Sequence, residues 1–451
     1  MDRLLFAAIA DDDTGASDLA GMLAERGVRT LLIIDLPEPD RLTGWLRGFD
    51  AAVVAVGTRN IEADAARKRT AEAIHRLRPF APRMFAIKYC STFDSTERGN
   101  IGPAIDAAMT ELGVDFTVAV PALPVNGRTT YMGHHFVWDK LLSDSPMRHH
   151  PLTPMRNPNL VDFLSRQTAR RVGLAAYPAV DAGAERLRAE FDQLRARGVE
   201  IAIVDCLSDR HVETICRAAA DLELITGSSA PGIGLPLVWR ERGWLGEAGP
   251  EAPASEVARP AAGCLIIAGS CSEATRAQNA WLVEQGWRAI FVDPRDLISG
   301  RLETSRVVAS AAEELEAARP VLVTTSAAPE QVAQVQAWAQ AQGMTPEELG
   351  RAISSGLAAL AHEILKRAPA AGLVAAGGET AGALCRGLAL SALAVGRNIE
   401  PGVPLCRALG RFPIPVVLKS GNFGSRDFYG RALGAIQGPL EGDDSVRPAE
   451  S

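Results

Sequence analysis

Three consecutive aspartates, Asp11-Asp12-Asp13, end the first apolar run of the chain and lead into Thr14-Gly15-Ala16, with Asp18 a few residues on. Carboxylates just beyond the carboxyl end of a strand can hold Mg²⁺, accept hydrogen bonds from substrate hydroxyls, or take a proton from a nucleophilic hydroxyl. Acidic residues also decorate helix N-termini, where the dipole favours them. Three in a row cost self-repulsion, so the chemical reading is preferred here. A second segment, Lys88 to Asn100, also follows a strand and packs Lys88, Asp94, Ser95, Arg98 and several hydroxyls into one strand-to-helix turn. Its cations could grip a carboxylate, Arg bidentately, and Asp94 could orient or deprotonate a hydroxyl. A third, Pro121 to Thr130, carries Arg128 among turn residues and leads into His134-His135 and then Met147-Arg148-His149-His150. Adjacent histidines on a loop rarely face one ion, so substrate contact or plain surface is expected of them rather than metal binding.

The back half of the chain has Gly/Ser turns of a different kind, each after an apolar run: Gly269 to Thr275, Gly377-Gly378-Glu379-Thr380, and Lys419 to Ser425. Backbone amides at helix N-termini bind phosphate, and glycine lets a ligand approach the chain. Ser270 and Glu273 also have the spacing of a capping box, a purely structural use. Three such turns, set against an acidic and Arg-bearing front half, point to a nucleotide. The sequence has no G-x-x-x-x-G-K-[ST], which excludes a P-loop kinase. The Asp cluster stands where a G-x-G-x-x-G would follow the first strand of a dinucleotide-binding fold.

Short apolar runs alternating with amphipathic stretches must position these residues, the pattern of α/β layers with largely parallel sheets. Strands are expected at Leu4–Ala10, Arg29–Ile34, Ala52–Val56, Met84–Lys88, Phe116–Val120 and Ile201–Asp205, with helices at Ile61–Arg78 and Asn100–Leu112. The rhythm breaks at Asp144–Asn159, read as a lid or binding loop. It breaks again at Gly246–Ala262, read as an interdomain linker. Beyond it, strands are expected at Cys264–Ala268, Ala289–Val292, Val321–Thr324, Leu373–Ala376 and Pro415–Leu418. Helices are expected near Glu273–Glu284 and Thr380–Leu390, together with a long one ending near Lys366. The fold class is therefore two α/β domains with largely parallel sheets facing an interdomain cleft: residues 1–245, a linker at 246–262, residues 263–440, and a tail at 441–451.

A length of 451 residues suits this division, and 47% hydrophobic with 22% charged residues describes a globular chain. The net charge of −7 argues against a nucleic-acid-binding surface. No apolar stretch is long enough for a membrane span. The N-terminal run turns acidic too soon for a signal peptide. The seven cysteines include no CxxC pair and read as reduced thiols, so a cytoplasmic protein is expected.

The segments IADDxTGAxD, DSTxRGNIG, PALPVNGRTT, GSCSxATxxQ, GGETAG and LKSGNFG together resemble the four-carbon acid sugar kinase family, in the family's order, from Leu5 to about Gly434. Within it, KYCSTFDST and MRHHPLTP are most similar to the 3-oxo-tetronate 4-kinase subgroup. Relatives acting on D-threonate, D-erythronate or 3-oxo-isoapionate are the alternatives. The chain departs from the family at Asp13, where an apolar Phe or Leu is usual. At Glu97-Arg98 it follows the wider family more than the subgroup. The resemblance implies an N-terminal acid-sugar-binding domain, a C-terminal nucleotide-binding domain, and ATP with Mg²⁺ as the phosphorylating pair. It implies a substrate region with Asp11, Asp12, Arg59, Lys88, Asp94, Ser95, Arg98, Asn100 and Arg128. The nucleotide falls near Ser270, Ser272, Thr275, Gly377, Gly378, Glu379, Thr380, Ser420 and Gly421.

The expected activity is in-line transfer of the ATP γ-phosphoryl group to the C4 hydroxyl of the acid, with Asp12 or Asp94 accepting the proton and Asp12 preferred. The partners expected are the sugar acid and ATP, with no nucleic acid or membrane. Homo-oligomerisation, substrate stereochemistry and metal ligands stay open. The rival readings are a nicotinamide-dependent sugar-acid oxidoreductase and a two-domain solute-binding protein.

Overall fold

The structure is a computed structural model, which describes residues 4–34, 36–150, 153–246, 262–409 and 412–437. The chain divides into two compact units, Met1–Ala252 and Pro253–Ser451. Apart from its end residues, the linker expected at 246–262 lies outside the described residues, as does the tail at 441–451.

In the first unit the main sheet is built from β1 (Phe6–Ala10), β2 (Thr30–Ile33), β3 (Ala51–Ala55), β4 (Met84–Lys88), β5 (Thr117–Val120), β9 (Val172–Ala175), β10 (Ile201–Val204) and β11 (Leu224–Gly227). Their order is β2-β3-β1-β4-β11-β5-β10-β9, and every pairing is parallel. All five residues of β1 are buried, as are all those of β3 and β4. Continuous apolar runs of this kind are what a parallel sheet covered on both faces requires. From β1 the chain moves one way to β2 and β3, then crosses back to β4 on the other side. The crevice where the order reverses, at the carboxyl ends of the strands, is where such sheets bind ligands.

A small antiparallel sheet, β6 (Arg128–Tyr131), β7 (His134–Val137) and β8 (Lys140–Leu141), stands where the sequence suggested only turns. Asp205 ties it to the main sheet by accepting from the amides of Met132 at 2.7 Å, Gly133 at 2.9 Å and Tyr177 at 2.8 Å. The excursion expected at Asp144–Asn159 begins with short 3₁₀ turns and ends where Asn159 caps the helix Leu160–Ser165; residues 151 and 152 lie outside the described residues.

The second unit has β12 (Cys264–Ala268), β13 (Arg288–Phe291), β14 (Val321–Thr324), β15 (Gly372–Ala376), β16 (Ala392–Glu400), β17 (Val403–Leu409) and β18 (Pro415–Lys419). The first five strands in spatial order, β13-β14-β12-β15-β18, are parallel, and β17 then β16 continue the sheet antiparallel. The β16–β17 hairpin was not foreseen: Gly396-Arg397-Asn398 interrupts the apolar period, and the pairing shifts register there. Order reverses again, here between β12 and β15. The long helix expected to end near Lys366 runs Pro346–Arg367, and its N-terminus is a capping box of Thr345 and Glu348.

Candidate functional site

In the first unit the expected polar residues gather at the reversal point. Asp11 follows β1, and Arg59 holds its carboxylate at two points, Nε to Oδ2 at 2.8 Å and Nη2 to Oδ1 at 2.9 Å. The remaining nitrogen, Nη1, is 2.8 Å from Asp12 Oδ2. One guanidinium thus neutralises two adjacent carboxylates, the bidentate geometry that Arg alone provides. The loop carrying Arg59 is fixed from two sides. The amides of Thr58 and Arg59 donate to the Asp11 carbonyl at 2.8 and 3.2 Å. Asn100 Nδ2 donates to the carbonyls of Thr58 and Ile61, each at 2.6 Å. Asn100 therefore positions Arg59.

Asp12 is the N-cap of the helix Asp13–Glu25, its Oδ1 accepting from the Gly15 amide at 2.8 Å. The structural and chemical readings of the Asp cluster are thus both realised, in one residue. Burial lifts the Asp12 carboxyl above its ordinary range, Arg59 opposes this, Asp11 reinforces it, and Lys88 opposes it again. Lys88 ends β4 and is only 3% exposed. In the ladder it sits level with Ala10 and Gly227, whose small size leaves room for its stem. Its ammonium donates to the Tyr89 carbonyl at 2.9 Å. A Cβ on Gly15 would fall 2.6 Å from Asp12 Oδ1 and 2.8 Å from Lys88 Nζ, so only glycine lets these groups meet over the helix start.

Asp94, Ser95 and Asn100 line one enclosed space with Asp11, Arg59 and Lys88, with room for about one water molecule. The buried Thr70 hydroxyl and Asn100 Oδ1 find no partner among the described residues. Asp94 accepts from the Thr92 hydroxyl. The Ser95 hydroxyl accepts from Gln167 Nε2 at 3.1 Å, which also reaches the Thr96 carbonyl at 2.7 Å. Arg98 and Arg128 are not part of this lining. Arg98 is exposed and forms no ion pair among the described residues. Arg128 donates to the Asn126 carbonyl, and its buried Nε has no acceptor among the described residues.

His135, expected to touch substrate or solvent, is fully buried. Its Nδ1 pairs with Thr130 Oγ1 at 2.9 Å and its Nε2 with the Ser91 carbonyl at 2.8 Å, joining the small sheet to the Lys88–Ser95 turn. Since a carbonyl only accepts, Nε2 carries the proton. Burial lowers the ring's pKa to about 4 against the support of Ser91, so the imidazole is neutral.

In the second unit the Gly/Ser turns follow β12, β15 and β18, which are neighbours in the sheet, so parallel pairing brings all of them to one end. The capping box suggested by Ser270 and Glu273 does not form. Ser272 is the cap instead, accepting from the Thr275 amide at 3.2 Å, while Ser270 Oγ accepts from the Ser272 amide at 3.2 Å. The Ser272 and Thr275 hydroxyls both donate to the Gly421 carbonyl, at 2.6 and 2.8 Å. A Cβ on Gly421 would lie 2.3 Å from Ser270 Oγ, and one on Gly269 2.3 Å from Thr380 Oγ1. The turns bearing Ser270, Ser272, Thr275, Gly377, Gly378, Thr380, Ser420 and Gly421 thus form one packed surface, with Glu379 exposed beside them.

Beyond β12, β13 and β14 this surface continues into a pocket of about 240 Å³, lined by Gly269, Phe291, Thr325, Gln331, Val335 and Ile353 among others. Its largely apolar walls, with a few amide groups and the Asp293–Arg295 ion pair in the lining, suit a flat heterocycle. No local pattern marks this pocket, because its residues come from separate strands and helices. Lys419, which the sequence marks only as the start of the turn after β18, is fully buried and bonds the carbonyls of that turn.

Residues 6–234 match the family described as sugar-binding N-terminal domain, and residues 265–429 the one described as nucleotide-binding C-terminal domain. The chain is 42% identical to a 3-oxo-tetronate kinase of Cupriavidus necator, over 97% of this chain and 98% of that one. It is 41% identical to the enzyme of that name from Pseudomonas fluorescens and 42% to the one from Burkholderia multivorans, each covering 97% of this chain and 98% of the relative. Among solved structures it resembles a Salmonella typhimurium protein described as a tRNA synthase, with TM-score 0.81, 33% identity, and 95% and 98% of the two chains covered. A Haemophilus influenzae protein aligns with TM-score 0.80 and 32% identity, over 95% of this chain and all of that one.

Proposed function

The chain belongs to the four-carbon acid sugar kinase family, and from that premise we propose that it moves the γ-phosphoryl group of ATP onto the C4 hydroxyl of 3-oxo-tetronate. The observation that carries this reading is the Asp11–Asp12–Arg59–Lys88 cluster at the strand reversal of the unit matched to sugar binding. Residues 1–245 are assigned to the acid and 263–440 to the nucleotide.

Phosphoryl transfer is a loose, charge-dominated reaction, so the protein's work is positioning and neutralisation. Lys88 and the cations Arg98 and Arg128 are the groups available to draw the substrate carboxylate. Asp12, its basicity raised by burial, takes the hydroxyl proton as the hydroxyl oxygen bonds to the γ-phosphorus and the bond to the ADP oxygen breaks. The Arg59 bridge holds Asp12 in place while doing so. Amides of the Gly/Ser turns face the polyphosphate, and the 240 Å³ pocket beside Gly269 takes the base. Among the described residues no three His, Cys, Asp or Glu side chains group as a metal cage. Glu379, exposed on its turn, is the carboxylate that would help hold a Mg²⁺ there. When bound, Mg²⁺ would offset charge on the phosphate oxygens.

Localisation in the cytoplasm is proposed with the activity; no helix among the described residues is long and apolar enough to cross a membrane. The test is ADP release by the purified chain with ATP and Mg²⁺, offered 3-oxo-tetronate, D-threonate, D-erythronate and 3-oxo-isoapionate. Fastest release with 3-oxo-tetronate is expected. No ADP with any of them would overturn the kinase reading, and a preference for another acid would overturn the substrate.

A further inference from the structure

Lys419 ends β18 and is 1% exposed, yet among the described residues no carboxylate pairs with its ammonium. Its partners are neutral oxygens: Thr275 Oγ1 at 3.2 Å and the carbonyls of Ser420 at 3.1 Å, Gly421 at 3.2 Å and Phe423 at 3.2 Å. From the helix Glu273–Glu284, the fully buried Gln278 sends Nε2 to the carbonyls of Phe423, Gly424 and Ser425, each at 3.0 Å. The carbonyls of Ser420, Gly421, Phe423, Gly424 and Ser425 are therefore all turned toward two buried donors.

In a trans peptide the N–H points opposite to the C=O. Inward carbonyls at Ser420, Gly421 and Phe423 thus turn the amides of Gly421, Asn422 and Gly424 outward. None of those three amides donates to a group among the described residues. The next amide along, Ser425, is taken by Glu400 Oε2 at 2.8 Å. Among the described residues the ammonium is bound by carbonyls and a hydroxyl alone, as a monovalent cation would be, and its positive charge lies on the side of the loop opposite to the outward amides.

We propose that Lys419 and Gln278 are positioning residues for the nucleotide: by holding the carbonyls of loop 420–425 inward they aim its free amides, over a fixed positive charge, at the polyphosphate. The inference rests on the second unit being the ATP site and adds residues that touch no ligand themselves. Losing a charge-assisted set of hydrogen bonds corresponds to about a tenfold or larger loss of affinity.

The experiment is titration of the full chain with a fluorescent ATP analogue, followed by steady-state kinetics, for wild type, Lys419→Ala and Gln278→Met. Expected are a KM for ATP raised about tenfold or more in both variants and an unchanged KM for the sugar acid. In Lys419→Ala, ammonium or methylammonium should restore nucleotide affinity, a rescue that a general packing defect would not give. If wild type binds and both variants bind equally well, the positioning role is wrong. If Lys419→Ala does not fold, Gln278→Met decides: unchanged ATP affinity overturns the proposal and a selective loss supports it. If wild type itself binds no ATP, the nucleotide reading falls and this inference with it.

Discussion

Arg59 holds Asp11 through paired hydrogen bonds of 2.8 and 2.9 Å, although 48 residues separate them in the chain. With Asp12 on its third nitrogen, the one arginine pairs with two neighbouring carboxylates at the start of a helix. Replacing it by Leu should cost about 3 kcal/mol of unfolding free energy at neutral pH, since a partly buried pair loses its cation. The deficit should shrink on acidification. Asp12 already has a raised pKa, which rises further without Arg59, so the native state holds more protons than the unfolded one and gains relative stability as pH falls. Urea denaturation at neutral and mildly acidic pH measures this; an equal deficit at both would contradict it.

Asp12 and Asp94 can be told apart as proton acceptors. Asp12→Asn should lower kcat by about 100-fold or more with little change in KM for the acid. Asp94→Asn should act mainly on that KM. Because burial raises the Asp12 pKa, wild-type kcat should fall on acidification earlier than an ordinary aspartate would dictate, and the residual rate of Asp12→Asn should lack that limb. A larger kcat loss in Asp94→Asn would transfer the role.

What the sequence disclosed and what it hid divide along chain separation. The Asp11-Asp12 cluster, the Lys88–Asn100 segment and the Gly/Ser turns were legible because each is a short run after an apolar strand, and parallel sheets place such runs at one end. The ends of the expected strands fall within a residue or two of the observed ones because β1 and β3 are unbroken apolar runs and β4 is one as far as its last residue, Lys88. Long-range partnerships were not legible. Arg59 entered only through family resemblance, and nothing local marks it as the partner of Asp11. Gln278 and Lys419 reach a loop whose carbonyls are spoken for only after folding, Gln278 from 145 residues away. His135 looked like a surface residue because its partners, Ser91 and Thr130, lie on other elements.

That buried histidine makes the first unit acid-sensitive. Its ring is neutral when folded, with a pKa of about 4 against an ordinary 6.5. Between those values the unfolded chain binds the extra proton and the folded one does not, so stability falls as pH drops from about 6.5 toward 4. The full difference corresponds to about 3 kcal/mol, the product of the shift and the free energy per pH unit. Thermal melts across this window should decline more steeply for wild type than for His135→Gln. Parallel declines would mean that other groups govern the acid response.

Gly421 gives the most direct test of the packed turns in the second unit. Its carbonyl is the point where Ser272, Thr275 and Lys419 converge, at 2.6, 2.8 and 3.2 Å. A methyl group added there would stand 2.3 Å from Ser270 Oγ and 3.3 Å from Ser272 Oγ, so one of the two turns must give way. The Ser270 hydroxyl cannot simply rotate off without losing the Ser272 amide it accepts from at 3.2 Å, and Ser272 is the cap of the helix. Gly421→Ala should therefore weaken ATP binding by about tenfold while the sugar-acid KM stays put, because a misplaced anion-binding turn loses one or more amide contacts of about 1.5 kcal/mol each. Gly434→Ala is the control, since its Cβ meets nothing within 4 Å. Nucleotide titration of both variants measures the difference; ATP affinity unchanged in Gly421→Ala would remove this turn from the nucleotide site.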